Sequence, residues 1–205
     1  MKRDRGATRR RIIEQTAALL NMRGYLRTSM AEITKAAGVT KVAIYHHFSS
    51  REDLVLETFY HVVAIVKTQV ESVLRREPAA TEKLIGLIGI FKDVLVDDAL
   101  KSGCLIVNLA VEASVGEKKL RSAIDKAIAD LTHVFEDVIR AGMQTGEFEP
   151  GDARSLAAYF VASLEGGIRL AVYCHRPIYL AVVASSLENH ARNGLRQHVS
   201  RMEVG

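Results

Sequence analysis

Residues 40 to 51 place Thr40, Lys41, Val42, Ala43, Tyr45, His46, His47 and Arg51 within one short stretch. Hydroxyl, ammonium, phenol, imidazole and guanidinium groups beside small methyl-bearing side chains suit the phosphates, base edges and thymine methyls of a duplex. Ile44 and Phe48, interleaved at helical spacing, supply an apolar inner face that can anchor the segment. The tract before it has its own start and stop. Ser29 followed by Glu32 has capping-box spacing, and Gly38 permits the positive φ of a tight turn. Ala36 and Ala37 are small where two helices must cross, and Ile33 and Val39 form an apolar plug. This is the pattern of a helix-turn-helix, in which the second helix is left free to enter the major groove.

Other chemistry is thinly represented. There is no phosphate-cradling glycine loop, no nucleophile elbow and no helical His-Glu-x-x-His, so the sequence points to no enzyme, no cofactor and no metal site. Two features of the later chain stand out. Asn108 and Glu112 sit four apart on an otherwise apolar helix, where buried polar groups need partners or a ligand. Cys104 opens the same helix, a setting that lowers a thiol's pKa, although a small buried hydrophobe would also fit there. Cys174 and the adjacent His175 show no metal-binding pattern.

The charge distribution supports a nucleic-acid partner. The net charge is +4, yet residues 1–51 carry eleven Lys or Arg against three acids, and the remainder is acidic on balance. A basic head on an acidic body suits phosphate attraction by one part and a separate task for the other. Two cysteines make no disulfide framework, no apolar run approaches bilayer-spanning length, and the start of the chain lacks a signal-peptide pattern. A cytoplasmic protein with no membrane partner is therefore expected.

The elements that must position these residues are helical. No segment sustains the alternation of a strand, and Pro78, Pro150 and Pro177 all fall between periodic segments. The periodicity predicts an all-α chain of about nine helices. The first covers about 8–23, burying Ile12, Ile13, Ala17, Leu19 and Leu20, with Gly24 as its cap. The second runs from Ser29 to Gly38 and the third from Thr40 to His47. The fourth starts at Ser49 or Ser50 and continues to about Arg76, a lever of roughly 38 Å. The rest are expected near 80–98, 103–114, 117–143, 152–174 and 177–195. Residues 1–50 would form the DNA-binding domain and 51–205 a C-terminal effector-binding and dimerisation domain.

Helix 1 through Gly24, then Thr-Ser, Ala-Gly-Val, Ile-Tyr-His-His-Phe and Ser-Arg-Glu-Asp-Leu, resembles the N-terminal domain of the TetR/AcrR family of transcriptional regulators, densely over residues 8–59. The resemblance implies that Thr28 and Ser29 contact phosphate, that Thr40, Lys41, Val42, Ala43 and Tyr45 face the groove, and that His47 and Arg51, with His46, clamp the backbone. The family often carries Gly and a hydroxyl residue where this chain has Val42 and Ala43, so methyl contacts with thymine should matter more here. It also implies a homodimer built on the last two helices, a palindromic operator and a small-molecule effector. The small residues Ala162, Gly166 and Gly167, with Leu180, Val183, Ala184 and Leu187, suit such an interface.

A pocket among helices 4 to 8 would draw on Phe91, Leu95, Cys104, Leu105, Asn108, Leu109, Glu112, Phe135, Tyr159 and Phe160, each of which also suits a plain core. The Gly103-Cys104-Leu105…Asn108-Leu109…Glu112 pattern resembles a subset of the family that includes electrophile-responsive repressors. A ligand-released repressor is the expected function. A helical carrier or enzyme with a basic tether, and a ligand-free architectural DNA binder, are the alternatives.

Overall fold

The computed structural model describes residues 5–93, 103–112 and 118–196, and all regular structure among them is helical. The order is α1 (Arg5–Arg23), α2 (Met30–Ala37), α3 (Lys41–His47), α4 (Arg51–Arg76), α5 (Ala80–Asp93), α6 (Leu105–Glu112), α7 (Lys118–Thr145), α8 (Ala153–Tyr173) and α9 (Ile178–Arg192). Leu95, expected in a pocket, lies outside the described residues, as do the expected ends of the fifth and sixth helices.

Local signals fix the first four elements. Ser29 accepts from the Glu32 amide at 3.3 Å while the Glu32 carboxylate accepts from the Ser29 amide at 2.9 Å, the reciprocal capping box. Gly38 ends α2 in the left-handed region at φ 60°. Thr40 caps α3 by accepting from the Ala43 amide at 3.1 Å. Ser50 caps α4 by accepting from the Asp53 amide, and Asp53 in return accepts from the amide and hydroxyl of Ser49. Both serines before α4 therefore have a role. Backbone and hydroxyl donors hold the Glu32 and Asp53 carboxyls below their ordinary range.

Three apolar clusters follow one another along the molecule. The first joins α1 to α3 and the start of α4 through Ile12, Ile13, Ile33, Ile44, Phe48 and Leu54. Arg9 adds an ion pair with Glu57 and lies over the Phe48 ring at 5.1 Å, tying α1 to α4 and to the end of α3. The second cluster is the junction: Leu20 and Tyr25 from the head meet Val55 and Phe59 of α4, Leu105 and Leu109 of α6, and Leu120 and Ile124 of α7. The third and largest is the body of α5, α7, α8 and α9 with the far end of α4. There the Phe91 and Phe135 rings meet edge to face and the Phe135 and Phe160 rings at a tilt, centroids 6.1 and 6.2 Å apart. Among the described helices α8 is long and apolar enough to cross a membrane by length and composition, contrary to the sequence expectation. It carries Arg154, Glu165 and Arg169 and buries Leu156, Phe160, Leu164 and Ile168 in the body core.

At the junction two polar contacts cross from body to head. The Leu26 amide donates to the Glu112 carboxylate at 2.8 Å, and the Asn108 side-chain amide donates to Asn21 at 2.8 Å. Gly24 makes the first possible. It ends α1 at φ 82°, and a Cβ there would be driven into the Glu112 carboxylate. Gly24→Ala therefore costs backbone strain together with the Leu26–Glu112 bond, about 2–6 kcal/mol in all. Denaturant unfolding of the whole chain should show a loss of that size.

Candidate nucleic-acid interface

The outer face of α3 is presented by its buried inner face. Ile44 and Phe48 are almost fully buried, which leaves Thr40, Lys41, Val42, Tyr45 and His46 exposed, Val42 at 80%. Ala43 and His47 are half-buried at the edges. The Lys41 ammonium lies 5.9 Å from the centre of the Tyr45 ring, so cation and phenol project together. A seven-residue helix with hydroxyl, ammonium, phenol and imidazole groups on one open face can contact base edges and phosphates at once. Ser29 is exposed at the start of α2, but its hydroxyl already donates to Glu32.

Two residues assigned to phosphate contact are turned inward. Thr28 is only 2% exposed, and its hydroxyl donates to the Gly24 carbonyl at 2.7 Å, closing the end of α1. Arg51 donates to the Thr28 carbonyl at 3.1 Å and to the Tyr25 carbonyl, and its guanidinium lies 4.2 Å from the centre of the Tyr25 ring. It braces the α1–α2 loop from the first turn of α4. The planar fork fits the two carbonyls as it would fit a phosphate, so residue type could not distinguish these roles.

His47 meets the end of α3 beside Phe48, its ring 6.3 Å from that of Phe48 and 5.7 Å from that of His46. Its pKa lies below the usual 6.5, first through burial and then through the positive charges of His46, Arg9 and Arg5. Arg5 and Arg9 extend the basic surface beyond the recognition helix, a contribution that the motif alone did not reveal.

The residues expected to hold a ligand scatter. Phe91, Phe135 and Phe160 are body core. Tyr159 is 51% exposed on the outside of α8. Leu109 is fully buried in the junction cluster, and Asn108 and Glu112 bind the head instead of a ligand. Cys104 and Leu105 do border a cavity of about 230 Å³ between α1, α4, α5 and α6. Burial, and then the facing Glu165 carboxylate of α8, push the Cys104 thiol up to about 12, the opposite of the lowered value expected at a helix start. Burial likewise raises the Glu165 pKa, and its Oε2 is buried without a hydrogen-bond partner among the described residues. Burial beside Glu165 thus favours the neutral thiol of Cys104, the less nucleophilic form. No cluster of three or more metal-ligating side chains occurs among the described residues.

Four residues assigned to a dimer interface are buried within the single chain. Leu180, Ala184 and Leu187 of α9 pack into the body core. Gly167 lets α8 approach α9 closely, a Cβ there lying 3.3 Å from the Leu180 Cα. Val183 is half-buried against the same core, whereas Ala162 and Gly166 stay on the open face.

A groove-ready helix held by a capped partner helix, on a helical body that bonds back to it, defines a helix-turn-helix DNA-binding transcriptional regulator. The chain belongs to the TetR family. The family described as bacterial regulatory proteins, tetR family, matches residues 12–58, and the tetracyclin repressor-like C-terminal domain matches residues 80–187. The HTH-type transcriptional regulator LmrA of Bacillus subtilis is 25% identical over 186 residues, spanning 89% of this chain and 95% of its own length. The HTH-type transcriptional repressor DhaR of a Mycobacterium species is 27% identical over 165 residues, 80% and 82% of the two chains. The crystal structure of a TetR transcriptional regulator from Chloroflexus aurantiacus superimposes with a TM-score of 0.84 at 28% identity, over 91% of this chain and 94% of that one.

Two measurements separate contact from support. Lys41→Ala should lower the salt dependence of duplex binding by about one counterion. Arg51→Ala should leave that slope unchanged and instead destabilise the fold by about 1–3 kcal/mol. A second expectation concerns pH. A phosphate placed near His47 would raise its depressed pKa, so binding takes up a proton and affinity rises as pH falls through the region around 6.5. His47→Gln should flatten that part of the profile, measured by fluorescence anisotropy.

Proposed function

We propose that the protein is a homodimeric, effector-released repressor acting at a palindromic operator in the cytoplasm. Residues 1–50 read DNA, and residues 51–205 bind effector and partner. The observation that carries the reading is the open outer face of α3, which has DNA chemistry and, apart from the cap made by Thr40, leaves its polar groups facing solvent. Thr40, Lys41, Tyr45, His46 and His47 make the polar contacts, with Ser29 at the edge. Val42 and Ala43 add methyl contacts to thymine. The relative DhaR is named a repressor.

The partner face follows from exposure. On α8, Tyr159, Ala162, Gly166, Leu170 and Tyr173 recur at three- and four-residue spacing and all point outward. On α9, Ile178 and Val182 do the same, each more than half exposed. An apolar stripe over two adjacent helices suits isologous pairing with a second copy into a four-helix interface. The dimer would then fix the separation of two recognition helices.

The route from effector to DNA runs through α6. Its C-terminal Glu112 holds the Leu26 amide and its Asn108 holds Asn21, so a shift of α6 must move the head or break these bonds. A coupling of about 1–3 kcal/mol changes operator affinity 5- to 150-fold.

Selection from random duplexes with the purified chain should enrich a palindrome, whereas failure to enrich any sequence overturns the reading. Val182→Glu combined with Tyr173→Glu should yield monomers in sedimentation and lower affinity for the selected palindrome by at least about tenfold, while a single half-site is bound as before.

A further inference from the structure

We infer that the effector binds in the cavity between head and body, and that it is a compact amphipathic cation: a hydrocarbon or aromatic portion carrying one ammonium group. This deepens the regulator reading and rests on it.

The aromatic core of the body is closed, with Phe91, Phe135 and Phe160 in ring-to-ring contact and the last two fully buried. The junction cavity is different. Val62, Ile65 and Val66 of α4, Ile90 of α5, and Leu105 and Ile106 of α6 give it an apolar lining of about 230 Å³. Ala17 and Ala18 leave the room on the α1 side. Ile65, which borders this space, is 48% exposed, a large aliphatic residue left half uncovered. A ligand with an apolar portion would remove that surface from water.

The charges decide the ligand's sign. Among the described residues, the cavity is bordered by two carboxylates, Glu14 of α1 and Asp93 of α5, and by no Lys or Arg. That is unexpected on a head with eight net positive charges. Glu14 is the single acid of α1, while the nearby arginines are directed elsewhere: Arg9 pairs with Glu57 and Arg23 with Glu32. Arg10 lies 3.9 Å from Glu14 with both side chains largely exposed, a loose pair of small worth that an ammonium can replace. Cys104 stays a neutral thiol on the wall and adds a polarisable surface without a charge. Among the described residues, His61 is the one imidazole bordering the space. A cation meets carboxylates at the edge and hydrocarbon beneath, whereas an anion of the same shape meets repulsion.

The position also supplies the regulation. An occupant touches α1 and α6 together, and Asn21, which holds Asn108 across the junction, is itself on the cavity wall. Filling the space therefore acts on the bond that joins head to body, with no relay through the body core.

The test uses three probes of one skeleton, phenylbutylamine, phenylbutanol and phenylbutyrate, titrated into the full chain by calorimetry and into its complex with the selected operator by anisotropy. The amine should bind about tenfold more tightly than the alcohol, with the carboxylate weakest, and should release the operator. Glu14→Gln with Asp93→Asn should bring the amine to the level of the alcohol. Ala18→Leu and, from the opposite wall, Ile65→Phe should each weaken amine and alcohol alike, in variants that still melt cooperatively. Equal binding of the three probes, preference for the carboxylate, binding indifferent to both cavity fillers, or no binding at all would each overturn the inference. A chain that selects a palindrome yet ignores the amine keeps the regulator reading and loses this one. A chain that binds the amine at the junction but selects no operator does the reverse.

Discussion

The Glu112 carboxylate on the Leu26 amide is one of two polar contacts by which α6 holds the head, beside the α4 helix that runs from head to body. The head has its own small core around Ile12, Ile33, Ile44 and Phe48, and the body has a larger one around Phe135 and Phe160. Apolar packing at the junction is non-directional and tolerates sliding. A charge-assisted hydrogen bond to a backbone amide does not, and neither does the Asn21–Asn108 pair beside it. Gly24 is bound to this arrangement twice, through its left-handed φ and through the space the carboxylate occupies.

The same constraint explains why so short a reading helix is rigid enough to use. Seven residues do not sustain a helix alone. α3 is held by Thr40 at its start, by Ile44 and Phe48 beneath, and by the Phe48 amide donating to the Ile44 carbonyl at its end. Arg9 and Arg51 then lock its surroundings from α1 and α4. Basic side chains in such a head divide between those that reach DNA and those that hold the shape presented to DNA. Arg51 belongs to the second group, whereas Lys41 is left exposed on the outer face of α3.

That division marks where the sequence stops being informative. Helix starts and stops were legible because caps act within four residues: Ser29 with Glu32, Gly38, Thr40 and Ser50 stand where expected. The outward face of α3 was legible because Ile44 and Phe48 fix its rotation. Thr28 and Arg51 misled because a phosphate and a pair of carbonyls demand the same donors, and only the fold determines which is present. Gly167, Leu180, Ala184 and Leu187 misled because small and apolar residues at helical spacing suit contact within a chain as well as between chains. Cys104 fits the small buried side chain that the sequence also allowed, and a place at the start of α6 reveals neither its burial nor the Glu165 carboxylate brought from α8.

Asn108 and Glu112 show the opposite case, in which the reasoning held and the partner was different. Polar groups on an apolar helix do require satisfaction, and here another part of the same chain provides it. The consequence reaches beyond these two residues. A ligand that competed for them inside the body would have to replace good internal hydrogen bonds before gaining any of its own. The neighbouring cavity imposes less of that cost, since alanine, valine, leucine and isoleucine make most of its wall and its two carboxylates are exposed at the edge. Physical economy therefore favours an effector that leaves the Asn108 and Glu112 bonds to report its presence.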